Sequence, residues 1–473
     1  MSFDYDLVII GATPAGMAAA IAALALQARV ALVTQDIDPV SLVLGHRPLL
    51  EAARMIRQSD RARQFGLLPP SEPVLSVPPW QSVELWQKTA SAAIAEQYSL
   101  AVLAAQGIEV IVGSGRFQSQ SQLAFTVVGR SLRSRRYLLA LPIVAASPPA
   151  ARIAPTELTP AQLLSHLTQS SPPPHLVLSG HSSSTLEIAQ ALRTFGLAIT
   201  LAVPTATILP GHDQEMAIWL QASLEADGIK VLTCAPITQV KQIQGAPWVQ
   251  VGTVALPADE VIQLTLPAYP APLLNLNVAN VALQAGQIVV NPYLQTTHSQ
   301  VYACPFGGNF GVPQQAAAIA ELAAYNALSI PLRQRPVWQL GTIHSVATDP
   351  ICAWFGVTEA EAAKRYGKDY QVIRHSLQAN DHALLRGELG GWCKVIVRGD
   401  GQIAGAAIVG AEAHEWIGAI ALAKQQRIPL QQLSRLNLPP SSFSKTLQQI
   451  GRDWKHQQAQ QHPLTRLRAS WGG

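Results

Sequence analysis

Cysteine is scarce in this chain and badly placed for chemistry. There are four in 473 residues, Cys234, Cys304, Cys352 and Cys393. None lies near another in sequence, which excludes a CxxC redox motif and a cysteine metal knuckle. Buried free thiols are the expectation for such spacing. The twelve histidines form no ligand-like cluster either. Charge is thin, at 13% Asp, Glu, Lys and Arg. The longest apolar run, Met17 to Leu26, is too short to span a bilayer. No basic region precedes an apolar stretch and cleavage site at the N-terminus, so no secretory signal is read there. These absences lead to the expectation of a cytoplasmic protein with no membrane span, and no nucleic-acid partner is read.

What the chain does have is apolar bulk. Hydrophobic residues make up 48% of it, and its length suggests about three domains. The formal charge of +4 is concentrated at one end: Lys445 to Gly473 holds Lys445, Arg452, Lys455, Arg466 and Arg468 against Asp453. Such a basic tail either seeks an acidic protein partner or simply solubilises the chain.

The most informative stretch is the first 34 residues. Tyr5 to Ile10 reads as a buried strand, Met17 to Gln27 as an Ala/Leu-rich helix, and Val30 to Val33 as a second strand. Between the first strand and the helix stands Gly11-Ala12-Thr13-Pro14-Ala15-Gly16. Gly11 permits a tight turn, Pro14 suits a first helical turn, and Gly16 lets helix and strand lie close. The free N–H groups of the helix start are suited to a pyrophosphate. Two departures are visible. Thr13 replaces the middle glycine, where a backbone approaches the phosphates without a Cβ. Thr34 and Gln35 stand where an acidic residue would hold a ribose, with Asp36 two positions late.

Further along, Leu49 to Gln58 and Val83 to Gln106 read as helices, and Ser71 to Pro79 as a loop. Ile108 to Val112 is a strand, followed by a β-ribbon to Leu141 and a strand at Ile143 to Ala146. Pro148, Pro149 and Pro155 mark a linker. A second strand–turn–helix–strand unit follows: His175 to Ser179, Gly180-His181-Ser182-Ser183-Ser184-Thr185, Leu186 to Phe195, Leu197 to Val203. Ser182 and Thr185 replace two of its three glycines, and Val203-Pro204-Thr205 offers no ribose-binding acid and no arginine for a 2′-phosphate. Ile288 to Ala303 returns to strand character, before a Gly-rich turn and an Ala-rich helix from Gln314 to Ala327. Past a Pro331–Pro336 linker, strands (Gln371 to Leu377, Cys393 to Arg398, Ile403 to Val409) alternate with helices (Glu359 to Tyr366, Glu412 to Gln425). Asp400-Gly401 reads as a hairpin turn.

Several stretches together carry a resemblance: "DLVIIGATPAGMAAA", "LLEAAR" at 49–54, "ILPGHDQEM" at 208–216, "ATDPICAWFGVTEAEA" at 347–362 and "GQIAGAAIVGAEAHEWI" at 401–417. To about residue 450 the chain resembles the class I flavoprotein (pyridine nucleotide-) disulfide oxidoreductases, whose members include dihydrolipoamide dehydrogenase and mercuric reductase. The resemblance implies an α/β fold of two Rossmann-like dinucleotide-binding domains plus a C-terminal α+β dimerisation domain. It implies an FAD-type domain at 1–150 and 270–330, a degenerate NAD(P)-type domain at 151–269, a dimerisation domain at 337–450 giving a homodimer, and a basic tail at 451–473.

By the same resemblance the family's chemistry falls on altered residues. Its C-x4-C disulfide, just before the "LLEAAR" helix, falls on Asp38 and Val43. Its flavin-side lysine falls on Arg47, which keeps the charge but changes the shape. Its C-terminal His–Glu pair falls on Pro440 and Lys445, and neither can run that proton transfer. Its A-x-G-D motif reads Ala303-Cys304-Pro305-Phe306, so an aromatic ring replaces the ribityl-binding carboxylate. The expected cofactor is FAD on a weakened site formed by Gly11, Thr13, Pro14, Ala15, Gly16 and Arg47, with NAD(P) not expected. Two functions remain open: an FAD-dependent oxidoreductase-like protein without dithiol or NAD(P)H chemistry, and a non-catalytic dimeric scaffold or regulator.

Overall fold

The computed structural model describes residues 3–34, 45–69, 80–97, 99–119, 122–141, 143–144, 156–169, 173–243, 246–265, 269–284, 287–304 and 316–461. The chain forms two compact units: Met1–Pro174 with Gln239–Trp248 and Pro257–Leu340, and His175–Thr238 with Val249–Leu256 and Gly341–Gly473.

The first unit is built on β1 (Tyr5–Ile10), α1 (Pro14–Ala25), β2 (Val30–Thr34), α2 (Arg47–Gln64), β3 (Glu109–Val112) and β4 (Ser134–Leu139). With the strand Val301–Ala303 these make a parallel sheet in the order Val301–Ala303, β4, β1, β2, β3. Near-continuous apolar strands such as "DLVII" fit this position, because both faces of a parallel sheet are covered. On one face, α1 and the helix Ala316–Leu328 pack through Ala19, Ala20, Ala320, Ala323 and Ala324 against Leu7, Ile9 and Leu32. Alanine at these contacts lets the helix backbones lie close. On the other face Val8 and Ile10 meet an aromatic cluster, with Phe117 edge-on to Phe125 and Tyr137 at 5.1 and 5.5 Å between ring centroids. Fully buried Leu and Ile side chains of this kind each contribute roughly 1.5–3 kcal/mol.

Two expected elements differ. The single helix read over 83–106 is two, Trp80–Gln97 and Leu100–Ala105. Ser99 starts the second, its hydroxyl accepting the Ala101 N–H at 3.2 Å. Serine is a strong N-cap, and the apolar periodicity on either side hid the break. The strand read over 288–303 survives only as Gln287–Ile288 and Val301–Ala303, with tight turns between. The expected loop at 71–79 lies outside the described residues.

In the second unit, β5 (His175–Ser179), α3 (Ser183–Thr194), β6 (Ala198–Ala202), α4 (Gln214–Ala226) and β7 (Lys230–Leu232) form a parallel α/β half. The other half is β8 (Ile343–Val346), β9 (Ile351–Gly356), α5 (Glu359–Tyr366), β10 (Tyr370–Ser376), β11 (Trp392–Arg398), β12 (Ile403–Gly410), α6 (Ala413–Gln425) and α7 (Lys445–Gln461). Its five strands are antiparallel in the order β8, β9, β12, β11, β10. One face buries Phe355, Val395, Val397 and Ile408 under Trp416, Ile417, Ile420, Leu447 and Ile450 of α6 and α7. Trp454 joins that core at 2% exposure, and α7 runs to Gln461. The ordered domain therefore continues past residue 450, and Arg452 and Lys455 of the expected tail are helical. The rest of that tail, with Arg466 and Arg468, lies outside the described residues.

Candidate flavin and nucleotide turns

The turn after β1 sits where the sheet order reverses, with β2 on one side of β1 and β4 on the other. In open α/β sheets the ligand crevice lies at that point, beyond the carboxyl ends of the strands. Gly11 has φ +111°, a conformation in which a Cβ is strained. A Cβ on Gly16 would lie 1.9 Å from the Gly11 carbonyl oxygen, so helix and strand touch backbone to backbone.

Thr13 behaves differently from the expectation of a Cβ in the phosphate space. Its side chain is buried at 1% exposure and turned inward. The hydroxyl donates to the Ala140 carbonyl at 2.7 Å and accepts the Gly16 N–H at 3.1 Å. Thr13 is thus the N-cap of α1, with Pro14 at the first helical position. It also ties the turn to the chain just beyond β4. The consequence for an anion is a lost donor: Gly16 N–H is satisfied internally and Pro14 has none. The Ala15 N–H remains, and no acidic side chain stands in the first helical turn. A pyrophosphate fits such a helix start through backbone donors and the helix dipole. Thr34 closes β2 and is buried, so that strand ends on a hydroxyl rather than a carboxylate. Arg47 is exposed at the first residue of α2. Asp36, Asp38, Val43, Pro305 and Phe306 lie outside the described residues.

The second turn follows the same plan with a looser join. Ser182 is the N-cap of α3, accepting the Thr185 N–H at 3.2 Å and lying 2.7 Å from the Thr185 hydroxyl oxygen. Gly180 has φ +125°, and a Cβ built on it would meet the Thr185 hydroxyl only at 3.4 Å. The helix stands off far enough to take a threonine where the first turn tolerates only glycine. Val203, beyond β6, is fully buried.

All four cysteines are described and all are free thiols. Cys352 on β9 lies opposite Val409 of β12, and Cys393 on β11 lies opposite Ile408. Since Val409 and Ile408 are neighbours, the two cysteines point to opposite faces of the sheet. Burial pushes the Cys352 thiol up to about 12 and raises Cys304 and Cys393 as well. Cys234 is exposed. Pro440 is exposed, and Lys445 opens α7 with its Nζ 3.4 Å from Asp381 Oδ2. Among the described residues no group of three or more His, Cys, Asp or Glu could hold a metal ion, and no helix is long and apolar enough to cross a membrane.

A parallel sheet with a glycine turn at its reversal point, followed by a second such turn and an antiparallel C-terminal sheet, defines the class. Residues 5–316 match the pyridine nucleotide-disulphide oxidoreductase family and residues 343–449 its dimerisation domain. The chain belongs to that family. It is 25% identical to the dihydrolipoyl dehydrogenase of Rhizobium etli, over 95% of this chain and 98% of that one. It is 26% identical to the mercuric reductase of Staphylococcus aureus, over 91% of this chain and 79% of that one. Among solved structures, LpdA from Mycobacterium tuberculosis superposes with a TM-score of 0.81 at 21% identity, covering 95% of this chain and 99% of that one. The flavoprotein disulfide reductase RclA of Escherichia coli gives 0.75 at 20%, covering 96% and 99%. At those identities the likeness to the solved structures is one of fold.

Proposed function

We propose that this chain is an FAD-dependent oxidoreductase-like member of the family that works without the redox disulfide, without the His–Glu pair and without NAD(P)H. The observation that carries this is the state of the cysteines: four free thiols, three of them buried with raised pKa values and none paired with another. A dithiol relay needs a reactive thiolate beside a second sulfur. Pro440 in an exposed loop and Lys445 paired with Asp381 give the same reading for the proton-handling pair. FAD is the cofactor the family implies, and its bound isoalloxazine would supply the electron-accepting chemistry. Gly11, Thr13, Pro14, Ala15 and Gly16 would hold its pyrophosphate, with Arg47 on the flavin side. Capping of the Gly16 N–H and the absence of a carboxylate at Thr34 support an affinity below the family's. The protein would be a homodimer through the domain at 343–449, in the cytoplasm, with an acidic protein partner for the basic tail.

The visible spectrum of the purified protein, taken with a thiol titration of the native state, tests this. The expectation is flavin bands near about 370 and 450 nm, the cofactor's own property, with Cys234 alone reacting. A second fast thiol whose loss alters the flavin band would overturn the proposal. No flavin in a protein that is still dimeric would favour the scaffold reading, for which the altered catalytic positions beside an intact dimerisation domain are the supporting observation.

A further inference from the structure

The face of the antiparallel sheet opposite α6 and α7 carries a row set by strand register. His344 on β8 lies opposite Trp354 on β9, Trp354 opposite Ala407, Ala407 opposite Lys394, and Lys394 opposite Arg374. His344 stacks on Trp354 with ring centroids 5.5 Å apart and planes 8° from parallel. The start of α4 sits on this row. His212 packs over Trp354 at 4.7 Å and lies 6.2 Å from the His344 ring. Asp213 caps α4 through one oxygen, accepting the Met216 N–H at 3.1 Å. Its other oxygen is 2.5 Å from Lys394 Nζ, and Lys394 is only 2% exposed. Glu215 at 3.1 Å and Glu359 at 3.5 Å complete the surroundings of Lys394, and both also pair with Arg374. From α3, Glu187 accepts the Ala347 N–H, and Gln190 both accepts the Asp349 N–H and donates to the Asp349 carbonyl.

We propose that this row is an acid-released clasp, which holds the nucleotide-type half of the second unit onto the sheet of the dimerisation half and lets go as its imidazoles take up protons. At neutral pH the buried cation Lys394 is held by Asp213, Glu215 and Glu359, while the two rings pack as neutral groups. Burial, then the neighbouring His212, holds His344 down to about 4. Burial lowers His212 too, with Glu361 pulling partly the other way. Acidification acts through the two rings. His212 and His344, with centroids 6.2 Å apart, gain positive charge against each other where the closed packing buries them. Arg365 of α5 is a further positive group, and Lys424 of α6 lies on the other face of the sheet, over the Phe355 ring, held below its usual value by burial and then by Arg365.

The sign is set by proton uptake. A histidine whose folded pKa lies below its unfolded value of about 6.5 is most stabilising to the closed state above that pH, and its contribution falls away as pH drops toward 4. Lowering His344 to about 4 makes the expected opening at about pH 5 tenfold or more above that at neutral pH.

Native-state hydrogen exchange of the full chain, corrected for intrinsic rates and compared at neutral and about pH 5, is the test. Amides in 208–220 and 343–355 should open about tenfold more at the lower pH, while those of the α6–α7 core change little. The double variant His212→Gln with His344→Gln should lose most of that pH dependence, and Lys394→Met should open the same segments already at neutral pH. A uniform rise across the unit, or an unchanged pH response in the double variant, would overturn the clasp. If Lys394→Met does not fold, the wild-type comparison and the histidine variant still decide.

Discussion

The chain contains the same turn twice, and the two copies have diverged in different ways. Both put a hydroxyl residue at the N-cap where the fingerprint has its middle glycine, Thr13 in one and Ser182 in the other. Both hydroxyls satisfy the N–H three residues on. What differs is the third glycine. Gly16 is locked against the Gly11 carbonyl, whereas Thr185 stands clear of Gly180. The lesson is that a tight helix–strand join and a phosphate site are separable demands. The first turn keeps the join and loses one donor. The second has relaxed the join, and its half of the unit is held by side-chain contacts of α3 and α4 with the antiparallel sheet.

The sharpest way to break this comparison is one substitution at both places. Gly16→Val places a branched side chain where even a Cβ meets a carbonyl oxygen at 1.9 Å. It should cost more than about 4 kcal/mol, in the range reserved for core overpacking and backbone strain, and remove cooperative urea unfolding of the first unit. Thr185→Val keeps the shape and loses one hydroxyl contact, so about 1 kcal/mol is expected. Comparable costs at the two sites would mean that the turns are not built differently.

A smaller effect sharpens the role of the caps. Thr13→Ala removes the bonds to Gly16 N–H and Ala140 and should cost about 1–2 kcal/mol, and Ser182→Ala about 1 kcal/mol. Thr13→Gly should lower stability less, since glycine is a tolerable cap, and should raise flavin affinity up to about tenfold by freeing a donor for a charged ligand. Urea titration and flavin occupancy of the same preparations check both. If Thr13→Gly leaves occupancy unchanged, the Gly16 N–H is not a limiting donor.

The smallest expected effect lies far from both turns. Lys445→Ala breaks an exposed pair at 3.4 Å in which Asp381 is 75% exposed. Such pairs contribute little, so a loss within about 0.5 kcal/mol is expected. A loss above about 2 kcal/mol would give Lys445 a role that its geometry does not.

How much of this was legible in the sequence varies with the range of the interaction. The β1–turn–α1–β2 stretch was readable to within a few residues, because periodicity, glycine and proline are local signals. The helix Glu359–Tyr366 was read with its bounds, and its capping box of Thr358 and Glu361 is equally local. Thr13 was readable as a cap, since threonine before a proline at a helix start is a known signature. Comparison with the glycine fingerprint made it look like a defect instead. The break at Ser99 was the same kind of signal, overridden by the apolar period around it. Lys394, Asp213, His212 and His344 could not be assembled from sequence, because only the register of five strands and the docking of α4 bring them together. The reading of Pro440 and Lys445 as an altered proton-handling pair came from the family's pattern and from no local signal.

The most direct test is calorimetric titration of one flavin-stripped preparation with FAD and, separately, with NADH. The expected result is heat of binding for FAD and none for NADH up to a dissociation constant of about 100 µM, near −5.5 kcal/mol. The two turns would then differ in ligand as they do at the third glycine position. NADH binding tighter than that limit, or FAD binding no better than NADH, would contradict the distinction drawn between Gly16 and Thr185.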